Sequence, residues 1–148
     1  MIQTSSKEAP TLAMSSHAKP TVYVVDDDAD VLGSLRFLLE TDGFNVRTFR
    51  NGASLLNAVR STGVDCFVID YKMPDINGID LVGHLRDRGI TAPVILITGY
   101  PDGNIAVRAA EVGVRHVLLK PHIEESLIKR IREVIQERPA EAGSPPPE

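Results

Sequence analysis

The chain has 148 residues, 43% hydrophobic and 24% charged, which fits one globular domain around a single core. Its formal net charge of −4 argues against direct nucleic-acid binding, which needs a basic footprint. One cysteine, Cys66, excludes an internal disulfide and a cysteine-rich zinc centre.

Residues 1–20 are rich in Ser, Thr, Ala and Pro and are expected to form a disordered tail. They carry no apolar signal segment, and the aliphatic run Val94-Ile95-Leu96-Ile97 is far too short to span a bilayer. The expected location is therefore the cytoplasm. Thr21 to Val25 reads as a β-rich strand closed by Asp26-Asp27-Asp28. Val31, Leu35 and Leu38 follow at helical spacing until Asp42-Gly43. Phe44 to Phe49 reads as an amphipathic edge strand. Asn51-Gly52 turns the chain into a helix carrying Leu55, Leu56 and Val59.

Cys66-Phe67-Val68-Ile69 is a short apolar run ending in Asp70, as expected of a strand buried on both faces. A turn containing Pro74 and Gly78 leads to a helix with Leu81, Val82 and Leu85, ended by Gly89. Pro93 to Thr98 reads as a fourth strand, with Pro tolerated at its first residue. The loop Gly99–Gly103 enters a helix offering Ile105, Ala106, Ala109, Ala110 and Val112, whose buried side chains are expected to be mostly small. Gly113 caps it. Val114–Leu119 is a fifth strand, closed by Lys120-Pro121. A last helix carries Leu127, Ile128, Ile131, Val134 and Ile135 and stops at Pro139. The Pro-rich residues 138–148 read as a second disordered tail. Residues 21–137 then form one domain of alternating strands and helices, an α/β fold with a parallel sheet covered on both faces.

The polar residues at the strand ends carry the chemistry. Asp26 and Asp27 close the first strand, Asp70 the third, Thr98 the fourth and Lys120 the fifth. Helical crossovers make the strands parallel, so these residues open on one edge, where ligands of such sheets bind. Each has a bland reading taken singly: a carboxylate at a helix start, a capped turn, a solvated lysine. Asp28 and Asp30 are assigned to that role. Four coincident strand ends favour a site. Crowded carboxylates without Cys or His nearby suit a hard cation, Mg²⁺ or Mn²⁺. Lys and Thr suit phosphoryl oxygens, and a carboxylate can accept a phosphoryl group covalently. The set predicts metal-assisted phosphorylation of Asp70.

With Val24-Val25-Asp26-Asp27-Asp28, Asp70-Tyr71-Lys72-Met73-Pro74, Gly78, Thr98-Gly99 and Lys120-Pro121 in this order, residues 21 to about 136 resemble a response-regulator receiver domain of two-component systems. Thr98-Gly99 and Gly43-Phe44 are most similar to the FixJ-like subgroup. The resemblance implies a flavodoxin/CheY-like doubly wound (βα)5 fold with strand order 2-1-3-4-5. It implies that Asp70 accepts a phosphoryl group from a histidine of a sensor kinase or a phosphotransfer protein. Asp26 and Asp27 would hold Mg²⁺, one of them through water, with Asp70 and the Lys72 backbone carbonyl. Thr98 would bond the phosphoryl oxygens, Gly99 would leave them room, and Lys120 would pair with the group. The Lys120-Pro121 bond would be cis.

Val117 stands where receivers usually carry Tyr or Phe, and His122 where they usually carry Phe. The chain also stops where most receivers continue into an output domain. The expected function is a stand-alone receiver, catalysing only its own phosphorylation and dephosphorylation, that controls a downstream protein by contact. A phosphorylation-dependent homodimer and a phosphate shuttle between histidine-containing proteins are further readings. A haloacid-dehalogenase-type hydrolase would use Asp26 and Asp28, but it mismatches at Asp30 and gives Asp70 no role. A purely structural pseudo-receiver would lack the complete acidic set.

Overall fold

Five short runs separated by polar turns become five strands: three are largely apolar and bury both faces inside a covered sheet, and two are only partly buried at its edges. They are β1 (Thr21–Val25), β2 (Asn45–Phe49), β3 (Cys66–Asp70), β4 (Val94–Thr98) and β5 (Val114–Leu119). Helices alternate with them: α1 (Ala29–Thr41), α2 (Gly52–Ala58), α3 (Gly78–Asp87), α4 (Gly103–Glu111) and α5 (Glu124–Glu137). This computed structural model describes residues 19–100, 102–121 and 123–137. The expectations for residues 1–18 and 138–148, including the stop at Pro139, and for Pro101 and His122 lie outside the described residues.

The sheet is parallel throughout, in the order β2-β1-β3-β4-β5. This is the expected 2-1-3-4-5 order, with β2 at an edge. Every residue of β3 and β4 is buried. The sheet divides the apolar interior in two. Leu55 of α2, Leu81 and Leu85 of α3 and Ile105 of α4 pack with Phe67 and Leu96 on one face. Leu32 and Leu39 of α1 and Leu127 and Ile131 of α5 pack with Val68 and Ile95 on the other.

Side-chain caps start the helices where the sequence changes from strand to helical periodicity. Asp28 Oδ1 accepts from the amides of Asp30 (2.9 Å) and Val31 (3.3 Å), so Asp28 is the N-cap of α1. Asn51, Asn77 and Asp102 cap α2, α3 and α4 in the same way.

Three expectations need correction. The second strand begins at Asn45, one residue after the buried Phe44. The fourth begins at Val94, and the Pro93 carbonyl instead accepts from Phe67 N at 2.9 Å. In α4, Ile105 and Ala109 are buried, whereas Ala106 and Ala110 are exposed. The Asp102 cap fixes the helix phase, and four-residue spacing then turns Ile105 and Ala109 toward the sheet.

In β5, Ile95 pairs with His116 after Val94 pairs with Val114, leaving Arg115 as an irregularity in the register. Beyond it the alternation holds. Val117 packs on the α2–α4 side, and His116 Nε2 lies 4.0 Å from Glu133 of α5 on the other.

Candidate metal and phosphoryl-acceptor site

Backbone hydrogen bonds carry the ladder one residue past the strand ends and fix the site's frame. Asp26 N donates to Phe49 O (3.1 Å), Tyr71 N to Ile97 O (2.7 Å) and Lys120 N to Thr98 O (2.8 Å). The buried polar side chains among the described residues are Asp26, Asp70 and Thr98. Burying such groups is costly unless they are paired or used, so their meeting at one sheet edge marks the site.

Asp26 Oδ1 accepts from Asp28 N at 2.9 Å. Its Oδ2 lies 3.0 Å from Lys120 Nζ, which also stands 3.2 Å from Asp70 Oδ1. Asp27 is exposed at the rim. One carboxylate oxygen each from Asp26, Asp27 and Asp70 lies within 4.8 Å of the others. An open cavity of about 620 Å³ sits over them, lined also by Lys72, Gly99, Tyr100 and Lys120.

Burial, and then the charge of Asp26, lift the Asp70 pKa from 3.8 to about 6, against the opposing pull of Lys120. Asp70 is thus largely ionised at neutral pH yet more basic than an ordinary carboxylate. Burial works to lower the Lys120 pKa, but the hydrogen bond and charge of Asp26, with Asp70, overcome it and raise the value.

The residues fit a hard divalent cation. The side-chain donors are carboxylate oxygens, and three carboxylates face the Lys120 ammonium, so negative charge is in excess among them. Asp27 is free to meet a hydrated ion because it is exposed.

The other site residues are partly occupied. Thr98 Oγ1 accepts from Tyr100 N at 3.1 Å, so the hydroxyl holds the turn that follows it while keeping its own proton for another acceptor. Lys72 Nζ donates to the Tyr100 hydroxyl at 3.0 Å and lies 5.1 Å from the ring centre. That contact raises the Lys72 pKa and joins the β3–α3 loop to the β4–α4 loop across the cavity. A Cβ added to Gly99 would meet open space, and the Lys120-Pro121 bond is cis. Gly78 is required by proximity: a Cβ there would stand 2.7 Å from the Asp70 carbonyl oxygen and 2.7 Å from Leu96 Cδ1. Sequence reasoning missed the Tyr100 contacts, although an aromatic residue two positions after Thr98 was visible. Asp28, the acid a dehalogenase would need, spends Oδ1 on the two amides of α1.

Residues 22–132 match the response regulator receiver domain family. TodT, a response regulator protein of Pseudomonas putida, is 32% identical over 133 residues, covering 90% of this chain and 58% of TodT. FixJ of Azorhizobium caulinodans, a transcriptional regulatory protein, is 38% identical over 122 residues, covering 82% of this chain and 57% of FixJ. The chain thus spans less than two thirds of the length of either relative. Among solved structures, the response regulator StyR superposes with a TM-score of 0.75 at 39% identity, covering 80% of this chain and 60% of StyR. A CheY-like receiver domain from Methanospirillum hungatei gives a TM-score of 0.77 at 24% identity, covering 83% of this chain and 98% of its own, and shares the fold. The family match over residues 22–132, the relatives at 32% and 38% identity and the shared strand order together show that this chain belongs to the response-regulator receiver domains.

Proposed function

We propose that Asp70 accepts a phosphoryl group from a phosphohistidine of a partner protein, in a reaction that needs Mg²⁺ or Mn²⁺. The observation that carries this reading is the buried, unusually basic Asp70 carboxylate, 3.2 Å from Lys120 and clustered with Asp26 and Asp27. A cation held by Asp26, Asp27, Asp70 and the Lys72 carbonyl would neutralise charge on the phosphoryl oxygens.

The protein's own groups then have distinct tasks. An Asp70 oxygen attacks phosphorus, the P–O bond forms, and the P–N bond to the donor imidazole breaks. The donor leaves as neutral histidine after taking up a proton. Lys120, already against Asp70, follows the charge onto the phosphoryl oxygens. Thr98 donates the proton that its bond with Tyr100 N leaves unused to a phosphoryl oxygen, and Gly99 leaves the space for it. The covalent change ends on Asp70 itself, so the protein turns over no separate substrate beyond the donor.

The output in this reading is a changed surface of α4, β5 and α5, read by a downstream protein. This surface exposes Val107 and Leu119, at 60% and 50%, as apolar side chains that a protein partner or a second copy could cover. The beryllofluoride-activated NtrC4 receiver domain, solved as a dimer, is 27% identical and superposes with a TM-score of 0.74. A cytoplasmic location is part of the proposal. Among the described residues no helix is long and apolar enough to cross a membrane.

Intact-mass measurement after incubation with acetyl phosphate and Mg²⁺ tests the chemistry. One phosphoryl adduct is expected, absent in Asp70→Asn. An adduct of unchanged yield on that variant would refute Asp70 as the acceptor.

A further inference from the structure

The loop from Tyr71 to Asn77 carries Lys72, Met73 and Pro74 into the wall of the acidic cavity. Its two ends are tied to the sheet and to α3: Tyr71 N bonds Ile97 O, and Gly78 N bonds Tyr71 O at 2.7 Å. Its middle is tied elsewhere. The Asp75 carboxylate reaches the start of α2, where Oδ1 accepts from Gly52 N (3.3 Å) and Oδ2 from Ala53 N (3.1 Å). Asn51 takes the next free amide, Ser54 N, at 2.8 Å. Helix N-terminal amides lack intrahelical partners, so a carboxylate across two of them makes a firm joint. Packing closes the joint as well. A Cβ on Gly52 would come within 2.4 Å of Ile76 Cγ2, so the helix start and the loop touch with no room for a methyl group.

The same short turn also holds the opposite side of the cavity. Phe49 O accepts from Asp26 N at 3.1 Å, and Arg50 Nη2 donates to Asp27 O at 3.4 Å. Residues 49–53 place no side chain in the cavity. They nevertheless bond to the acidic pair on one side and to the Lys72 loop on the other.

We infer that Asp75 is a positioning residue for the metal site: by clamping the β3–α3 loop to the start of α2, it fixes the Lys72 carbonyl relative to Asp26 and Asp27. This rests on the proposed Mg²⁺-dependent reading. A cation that draws ligands from two segments binds best when their separation is set in advance, and partners that orient ligands commonly govern affinity. Without the clamp the loop keeps its ends but loses its middle, so each binding event must order it again.

The test is Mg²⁺ titration of the full chain and of Asp75→Ala, Asp75→Asn, Gly52→Ala and Arg88→Ala, each checked to be folded by circular dichroism. Arg88 Nη1 bonds Leu56 O at 2.7 Å, so its loss loosens the other end of α2 without touching the loop. Asp75→Ala should weaken Mg²⁺ binding about tenfold. Asp75→Asn, which keeps one acceptor oxygen, should lose less. Gly52→Ala should act like Asp75→Ala by pushing Ile76 away, and Arg88→Ala should lower the melting temperature while leaving Mg²⁺ affinity unchanged. Hydrogen exchange without metal should quicken at residues 71–77 and 52–53 in Asp75→Ala. Wild-type Mg²⁺ affinity in folded Asp75→Ala, or equal loss in Arg88→Ala, would overturn the inference. If the unaltered chain itself binds no Mg²⁺, the metal reading fails, and unchanged exchange in Asp75→Ala would separately sink the clamp.

Discussion

Lys120 stands between two buried carboxylates, 3.0 Å from Asp26 Oδ2 and 3.2 Å from Asp70 Oδ1. Its side chain keeps 28% exposure while Asp26 and Asp70 keep 1% and 6%. Replacing it with Met removes the ammonium and leaves both carboxylates buried and repelling. Partial access of water to the lysine position moderates the cost, so a loss of about 2 kcal/mol is expected without metal. Added Mg²⁺ should then raise the melting temperature of Lys120→Met more than that of the unaltered chain. A smaller rise in the variant would count against the charge-excess account.

The Asp70 shift gives a pH dependence with a definite sign. Its folded-state pKa, about 6, lies above the ordinary 3.8, so the folded protein holds the Asp70 proton more tightly than the unfolded chain. Stability from this group is therefore greatest below about pH 4, falls as pH rises toward 6, and is flat above that. The rise from 3.8 to about 6 sets an upper bound of about 3 kcal/mol, which water reaching the site through the open cavity reduces. In EDTA, Asp70→Asn should therefore be more stable than the unaltered chain at pH 8, with an advantage that holds down to about pH 6 and then shrinks toward pH 4. Urea unfolding of both proteins at a series of pH values measures it, and a constant difference across that range would contradict the assignment.

Gly78 predicts a steric penalty. Alanine there would bring Cβ within 2.7 Å of the Asp70 carbonyl, a backbone atom that cannot swing aside. The start of α3 must then move away from β3, at a cost of about 3 kcal/mol. Because Asp70 ends that strand, phosphoryl acceptance should fall together with stability. Chemical denaturation and adduct yield, measured on the same preparation, check the pairing.

The proposed route of a phosphorylation signal rests on the unequal anchoring of α4. At its far end Arg86 Nε donates to Val112 O at 3.2 Å, Nη1 to Ile90 O and Ala92 O at 2.9 Å, and Nη2 to Gly113 O at 3.5 Å. At its near end the helix buries only Ile105 and joins the Thr98–Tyr100 turn. Weakly buried segments are those recruited for switching. A phosphoryl mimic at Asp70 should change hydrogen exchange most in residues 99–107 and little at 112–113. Change confined to α1, with residues 99–113 equally protected in both states, would exclude this route. In Arg86→Ala the change should spread to residue 113, with a stability loss of about 2 kcal/mol from carbonyls left without a donor.

The fold was legible because its signals are local. A short apolar run such as Cys66–Ile69, set between helical patterns, reads as an interior strand, and the polar residue that ends it leaves the sheet at the edge where ligands bind. Asp26, Asp70 and Thr98 follow from that rule, and Lys120 from the alternation that sets the edge strand β5 parallel to the others. Phase in α4 was not legible, because alanine is indifferent to burial and Ala106 and Ala109 look alike in the sequence. Contacts made by long polar side chains across the chain were also hidden. Asp75 meets α2 22 residues away, Arg86 meets Gly113 27 away, and Lys72 meets Tyr100 28 away. No periodicity encodes such pairs, since each depends on how two loops happen to meet.

The sheet that carries the site is also a partition. Leu81 and Leu127 are both fully buried, yet they belong to apolar clusters on opposite faces with a layer of backbone between them. Two groups that share no neighbour contribute independently, so truncating both to alanine should cost the sum of the single losses. The practical result is modularity. Core packing on the α1–α5 face can change with little effect on core packing across the sheet. Alteration of one surface for a new partner then leaves the packing of the other largely intact.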